Sequence, residues 1–153
     1  MKNKAVSVAL FLFVALVAVA VDQVSKMIVV KCMDPGQSVA LVQRFFYLTY
    51  VKNPGGAFGI LAYKTGLFVI LAIIFIIIVL ALAVYYPGRN LKLTCSLAIL
   101  TGGVLGNLID RLRTGYVVDF LNFRVWPAVF NAADVFIITG AFLMFIILWR
   151  KGS

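Results

Sequence analysis

Thr65-Gly-Leu-Phe-Val-Ile-Leu-Ala-Ile-Ile-Phe-Ile-Ile-Ile-Val-Leu-Ala-Leu-Ala-Val-Tyr-Tyr86 runs for 22 residues without a charge. As an α-helix rising ~1.5 Å per residue it would be ~33 Å long, enough to cross a hydrocarbon core of ~30 Å. Three further apolar runs flank it: Ala5–Val21, Leu93–Ile109 and Phe130–Trp149. The first and third count 17 residues each and can lengthen into their polar flanks. With 64% hydrophobic residues, 12% charged residues and a mean hydropathy of +1.10, the chain lies far outside the soluble range. The expected fold class is a membrane α-helical protein with four transmembrane helices. Residues 1–153 form one integral membrane domain, with spans at about 5–21, 65–86, 93–109 and 130–149 and outer segments 22–64 and 110–132.

Lys2 and Lys4 ahead of the first run, with Ala18-Val19-Ala20 behind it, resemble a cleavable export signal. The run exceeds the usual ~7–15-residue signal core and three more spans follow, so it is read as an uncleaved first span. Orientation follows from the basic residues. With the N-terminus inside, Met1–Lys4, Pro87–Lys92 and Arg150–Ser153 carry six basic residues in 14, against eight in 66 for the two outer segments. The positive-inside rule is counted over short flanking loops, so the density decides for cytoplasmic N- and C-termini. The net charge of +9 is scattered along membrane flanks and forms no basic stripe, which argues against nucleic-acid binding.

The outer segments carry structure of their own. Pro87-Gly88 breaks the chain between spans two and three. Val24–Met33, with Met27, Ile28, Val29 and Val30 between Lys26 and Lys31, reads as an amphipathic helix on the membrane surface. Val39–Lys52 and Tyr116–Trp126 are rich in β-branched and aromatic residues and read as strands of a small extracytoplasmic sheet. Asn53-Pro54-Gly55-Gly56 between a strand and Ala57–Leu61 is a turn.

The chemistry rests on aspartate. The chain has five acids, Asp22, Asp34, Asp110, Asp119 and Asp134, with no Glu and no His. Cys32 and Cys95 are its two cysteines; without His they form no credible metal site, and neither metal nor cofactor is expected. Ionisable groups at membrane depth are costly and by default mark function.

Each constellation has a plain alternative. Asp22-Gln23-Val24-Ser25-Lys26 is either an i, i+4 ion pair with a snorkelling lysine or the support of a site at the outer leaflet. Lys52-Asn53-Pro54-Gly55-Gly56 reads first as a hairpin turn, although Gly55 and Asn53 also suit a ligand's close approach. Gly102 and Gly106 form a GxxxG helix-packing motif. Asp110 and Arg111 read as a structural pair; Asn107, deeper in the span and i, i+4 from Arg111, is harder to explain that way.

Asn131 and Asp134 have capping-box spacing, which does not account for Asp119 within Val117-Val118-Asp119-Phe120. The 14 residues between Asp119 and Asp134 are enough to fold back and bring the two carboxyls together. Such a pair shares a proton, one member a base and the other an acid, which is how aspartic proteases activate water.

These motifs resemble the lipoprotein signal peptidase (signal peptidase II) family over essentially the whole chain. The match comprises four spans, Asp22-Gln23-x-x-Lys26, Asn53 with its Gly-Ala-Phe-Gly continuation, Gly106-Asn107-x-x-Asp110-Arg111, Val-Val-Asp119-Phe120 and Phe-Asn131-x-Ala-Asp134. Gly56 and Val135 depart from the usual pattern without touching a proposed catalytic group. The resemblance implies an intramembrane aspartyl endopeptidase with Asp119 and Asp134 as catalytic dyad. It implies substrate-binding or supporting roles for Asp22, Asn53, Gly55, Asn107, Arg111 and Asn131. The implied substrates are diacylglyceryl-modified prolipoproteins, cut just before the lipidated cysteine at the outer face of a bacterial cytoplasmic membrane. The expected partners are these substrates and membrane lipid, with the protein a monomer. A proton-coupled transporter with an Asp22–Asp110–Asp134 relay is the rival, weakened by the lack of an internal repeat. A third reading is a non-catalytic assembly factor, in which Asp119 would tolerate Asn.

Overall fold

The computed structural model describes residues 2–56, 61–85 and 90–152. The expected break at Pro87-Gly88 and the Ala57-Phe58-Gly59 continuation lie outside these residues. The elements are α1 (Lys2–Cys32), β1 (Ser38–Val42), β2 (Phe46–Asn53), α2 (Thr65–Tyr85), α3 (Leu91–Thr114), β3 (Val117–Phe123), β4 (Val129–Phe130) and α4 (Ala132–Gly152). All four helices are long and apolar enough to cross a membrane, as the four apolar runs required.

Burial ranks the helices. In α3, 56% of the span is buried against 6% in α2, so α3 is the central helix and α2 shows most of its surface to lipid. α3 is also the best delimited. Asn90 caps its start, its Oδ1 accepting from the backbone N–H groups of Lys92 and Leu93 at 3.0 and 3.2 Å. Gly115 ends it in the left-handed region (φ 81°), with its N–H donated to the Arg111 carbonyl.

Close packing depends on missing side chains. A Cβ on Gly102 would lie 2.6 Å from Ala18 Cβ and 2.8 Å from the Ala15 carbonyl oxygen of α1. On Gly106 it would strike the Asp22 carboxylate. The GxxxG spacing thus seats α3 against α1, as read from the sequence.

The strands form one antiparallel sheet in the order β1-β2-β3-β4. Two expectations are corrected here. Val39–Lys52 is not one strand but a hairpin, turned by Arg44 at φ 66° with the Phe45 N–H donated to the Val42 carbonyl. Val24–Met33 is not a separate surface helix, because α1 runs unbroken to Cys32. The reason is packing: Val29 is buried in a cluster with Tyr50, Val118 and Phe120, and Met33 lies against it. The last turns of α1 therefore rest on the sheet. The helices alternate in direction, so the ends of α1 and α3, the starts of α2 and α4, and the sheet gather at one end of the bundle.

Gly102→Ala should destabilise the protein by ~1–3 kcal/mol through overpacking against Ala15 and Ala18. Gly66→Ala, in α2 with nothing within 4 Å of the added carbon, should leave stability unchanged or slightly raised. Thermal unfolding of both variants in detergent measures the contrast.

Candidate active site

Four elements meet where the sheet joins the bundle: the end of β2, the middle of β3, the last turns of α3 and the first turn of α4. Asp119 sits on β3 opposite Val51, beside a one-residue irregularity of β2 between Leu48 and Val51. Such bulges re-aim side chains next to sites. Asp134 is the third residue of α4. Its backbone N–H donates to Asn131 Oδ1 at 3.0 Å, while its own Oδ2 accepts from the Asn131 N–H at 3.1 Å. The capping box expected from the spacing is present.

Three asparagines then tie the carboxyls in place. Asn53 Nδ2 donates to Asp119 Oδ2 at 2.8 Å, and Asn131 Nδ2 to Asp119 Oδ1 at 2.6 Å. Asn107 Nδ2 donates to Asp134 Oδ1 at 2.9 Å. In each case the amide oxygen is held by a group that can only donate. Gly55 N–H holds Asn53, the Asp134 N–H holds Asn131, and the Lys26 ammonium holds Asn107 at 2.9 Å. No amide can turn over without facing oxygen to oxygen, so each presents its NH₂ to a carboxyl. Asn131, fully buried, touches both aspartates.

The two carboxyls line one cleft of about 220 Å³, together with Asn53, Gly55, Asn107, Arg111 and Asn131, and with Val129, Phe130, Ile137 and Ile138 as its apolar wall. A shallow depression at the other end of α4, lined by Phe145, Ile146, Trp149 and Arg150, holds no carboxyl. Burial pushes the Asp119 carboxyl up to about 7. Asn53 pulls it back, the nearby Asp134 raises it, and Asn131 and Lys26 lower it. Among the described residues no group of three His, Cys, Asp or Glu is placed to hold a metal ion.

Two pairings differ from expectation. Asp110 is not paired with Arg111: consecutive residues on a helix point about 100° apart. Asp110 Oδ2 instead accepts from Lys26 at 2.9 Å and from the Val118 N–H at 3.2 Å, and its Oδ1 from Gln23 at 2.9 Å. Arg111 faces the cleft, donating to the carbonyls of Gly55 at 3.1 Å and Asn107 at 3.3 Å, with its guanidinium over the Phe68 ring. Lys26 does not snorkel to water. It is 3% exposed, and it also binds Asp22 Oδ2 at 2.8 Å.

Asp22 is fully buried and supports the cleft from behind, accepting the Ala133 N–H at the start of α4 at 2.8 Å. Asp34 lies in a turn, its carbonyl accepting the Gln37 N–H beside Gly36. Sequence reasoning missed Gln23 and Phe68 as parts of the frame. Gln23 lies in the quoted Asp22–Lys26 motif, whereas nothing in the apolar run around Phe68 marks it.

Fold and site together define a multi-pass membrane protein with two carboxyls lining one cleft where its helix bundle meets a small sheet. Residues 14–150 match the family model described as Signal peptidase (SPase) II. The chain is 50% identical over 134 residues to the lipoprotein signal peptidase of Moorella thermoacetica, covering 88% of this chain and 89% of that protein. To the one of Halothermothrix orenii it is 42% identical over 139 residues, covering 90% and 94%. A solved bacterial membrane enzyme, determined by the in meso method at 2.3 Å resolution, superposes with a TM-score of 0.88 at 34% identity, covering 94% of this chain and 89% of that one. The chain belongs to the signal peptidase II family of lipoprotein signal peptidases, and is an aspartic peptidase.

The raised Asp119 value carries a sign. Between its unfolded value of 3.8 and about 7 the native state holds the proton that the unfolded chain releases. Stability from this group is therefore full below about 4 and falls as pH rises through about 7, at up to ~1.4 kcal/mol per pH unit. Asp119→Asn lacks this loss. Melting temperatures in detergent from pH 5 to pH 8 should move in favour of the variant as pH rises; a constant difference would refute the assignment.

Proposed function

We propose that Asp119 and Asp134 are the catalytic dyad of an endopeptidase that removes signal peptides from diacylglyceryl-modified prolipoproteins, cutting just before the lipidated cysteine. The observation that carries this reading is that one buried asparagine, Asn131, hydrogen-bonds both carboxyls at the wall of a single cleft. Two carboxyls close together hold one proton between them. The ionised member takes a proton from water as its oxygen attacks the scissile carbonyl carbon. The protonated member delivers its proton to the departing nitrogen as the C–N bond breaks, freeing the lipidated cysteine's amino group.

The cleft's depth suits such a substrate. Diacylglyceryl chains anchor in the bilayer, which brings the scissile bond to the membrane's outer margin. Four helices of alternating direction, with the denser basic residues at the end away from the sheet, support an extracytoplasmic site with both termini cytoplasmic. In this reading Asn53, Asn107 and Asn131 orient the carboxyls. Gly55 and Arg111 shape the rim that receives the peptide, and Asp22 supports the start of α4.

Purified protein in detergent should release the signal peptide from a lipidated precursor. Asp119→Asn and Asp134→Asn should each lower kcat by roughly 10²-fold or more with folding retained. Wild-type cleavage by either variant refutes the dyad. A precursor lacking the diacylglyceryl group should be cut far more slowly, and equal rates for both would refute the lipid requirement.

A further inference from the structure

The chemistry above makes no use of Lys26, yet its ammonium is buried at the back of the cleft. Two of its three acceptors, Asp22 Oδ2 and Asp110 Oδ2, are carboxylate oxygens that offset its charge. The third, Asn107 Oδ1, offsets nothing. What Asn107 offers is its other end, donated to Asp134.

An ammonium only donates, so it fixes which end of the Asn107 amide faces Asp134. With the NH₂ presented, an ionised Asp134 is favoured, because hydrogen bonding to the charged form stabilises it. Turned over, the amide would set oxygen against oxygen, which a carboxyl tolerates only when protonated. Asp134 also accepts the Asn131 N–H and sits in the first turn of α4, where the helix dipole favours negative charge. Asp119 likewise accepts two donors, the amides of Asn53 and Asn131, but it lies on a strand, with no such dipole behind it.

We propose that Lys26 is a positioning residue for the reaction: by locking the Asn107 amide it keeps Asp134 as the carboxyl that takes the proton from water, and leaves Asp119 to carry the proton to the leaving nitrogen. This rests on the dyad reading above. The charged groups around Asp134 are Asp22 and Lys26 from α1, Asp110 and Arg111 from α3, and Asp119 from β3. α2 and β4 contain no Asp, Glu, His, Lys or Arg. Arg111 is engaged with the backbone carbonyls of Gly55 and Asn107 and the Phe68 ring, so Lys26 is the cation that reaches Asp134 through the Asn107 side-chain amide.

The test is the pH profile of kcat/KM for a lipidated precursor, measured on the full chain in detergent for the wild type, Lys26→Met and Lys26→Met/Asp110→Asn. The double variant removes the ammonium together with one of its acids, and its profile decides if the single variant does not fold. Freed from Lys26, Asn107 can turn over and the proton moves towards Asp134. The expected result is an acid limb shifted up by about one pH unit or more and kcat lowered about tenfold or more, with KM within about twofold. A merely structural role would lower the rate without moving the limb, so an unshifted limb overturns the proposal. Asp134→Asn serves as the control. If it cleaves like the wild type, the dyad reading falls and this proposal with it. If it is inactive beside an unshifted limb, only the role of Lys26 falls.

Discussion

A buried ammonium must satisfy three N–H groups, and the architecture around the cleft follows from where Lys26 finds its acceptors. Asp22 is one turn back on the same helix; Asp110 and Asn107 are on α3. Each acceptor reaches onward to a further element. Asp22 takes the Ala133 N–H at the start of α4, Asp110 takes the Val118 N–H of β3, and Asn107 holds Asp134. One charge on α1 thereby sets the relative placement of α3, α4 and the sheet. Removing one partner of a buried ion pair typically costs ~3–5 kcal/mol, because the other charge is left uncompensated. Sterics agree with the electrostatics: the missing Cβ of Gly106 is the space that the Asp22 carboxylate occupies.

The parts legible in the sequence are those whose cause is local. Four apolar runs become four helices because the bilayer demands both length and apolarity, and neither depends on partners. The capping box at Asn131 and Asp134 is a matter of three-residue spacing, and it formed. The strand character of Val39–Lys52 was visible too, but not the hairpin, because the turn places a non-glycine residue, Arg44, at positive φ where no usual turn residue stands.

The pairings were misread where the cause is tertiary. Asp110 and Arg111 are neighbours in sequence and point to different sides of α3, one to Lys26 and one to the cleft. Lys26 lies one turn past the first apolar run, where a snorkelling lysine is one of two readings that the local sequence leaves open. Nothing local says that α1 continues to Cys32 or that the sheet closes over its last turns. The residues that line the cleft come from several short motifs and could be grouped only by reading those motifs jointly. No single spacing brings Asp119 beside Asn53, 66 positions earlier.

The choice of donors around the two carboxyls also has a physical reason. A cation bonded directly to Asp119 would hold it ionised and remove the proton that a shared-proton pair needs. Among the described residues neither Asp119 nor Asp134 makes an ion pair; the side chains that donate to them are the neutral amides of Asn53, Asn107 and Asn131. Neutral amides orient a carboxyl and bias its charge less than a bonded cation would, and here each amide oxygen is pinned by an obligate donor. The one nearby ammonium is set back by the width of an asparagine and faces two aspartates, so its charge is largely offset before it reaches the cleft. Arg111, the other cation within reach, is turned onto carbonyl oxygens and an aromatic face. Burial is then left as the largest influence on Asp119, and burial favours the neutral acid. On the proposed dyad, an aspartate that keeps its proton near neutral pH supplies the acid that a peptidase without histidine needs.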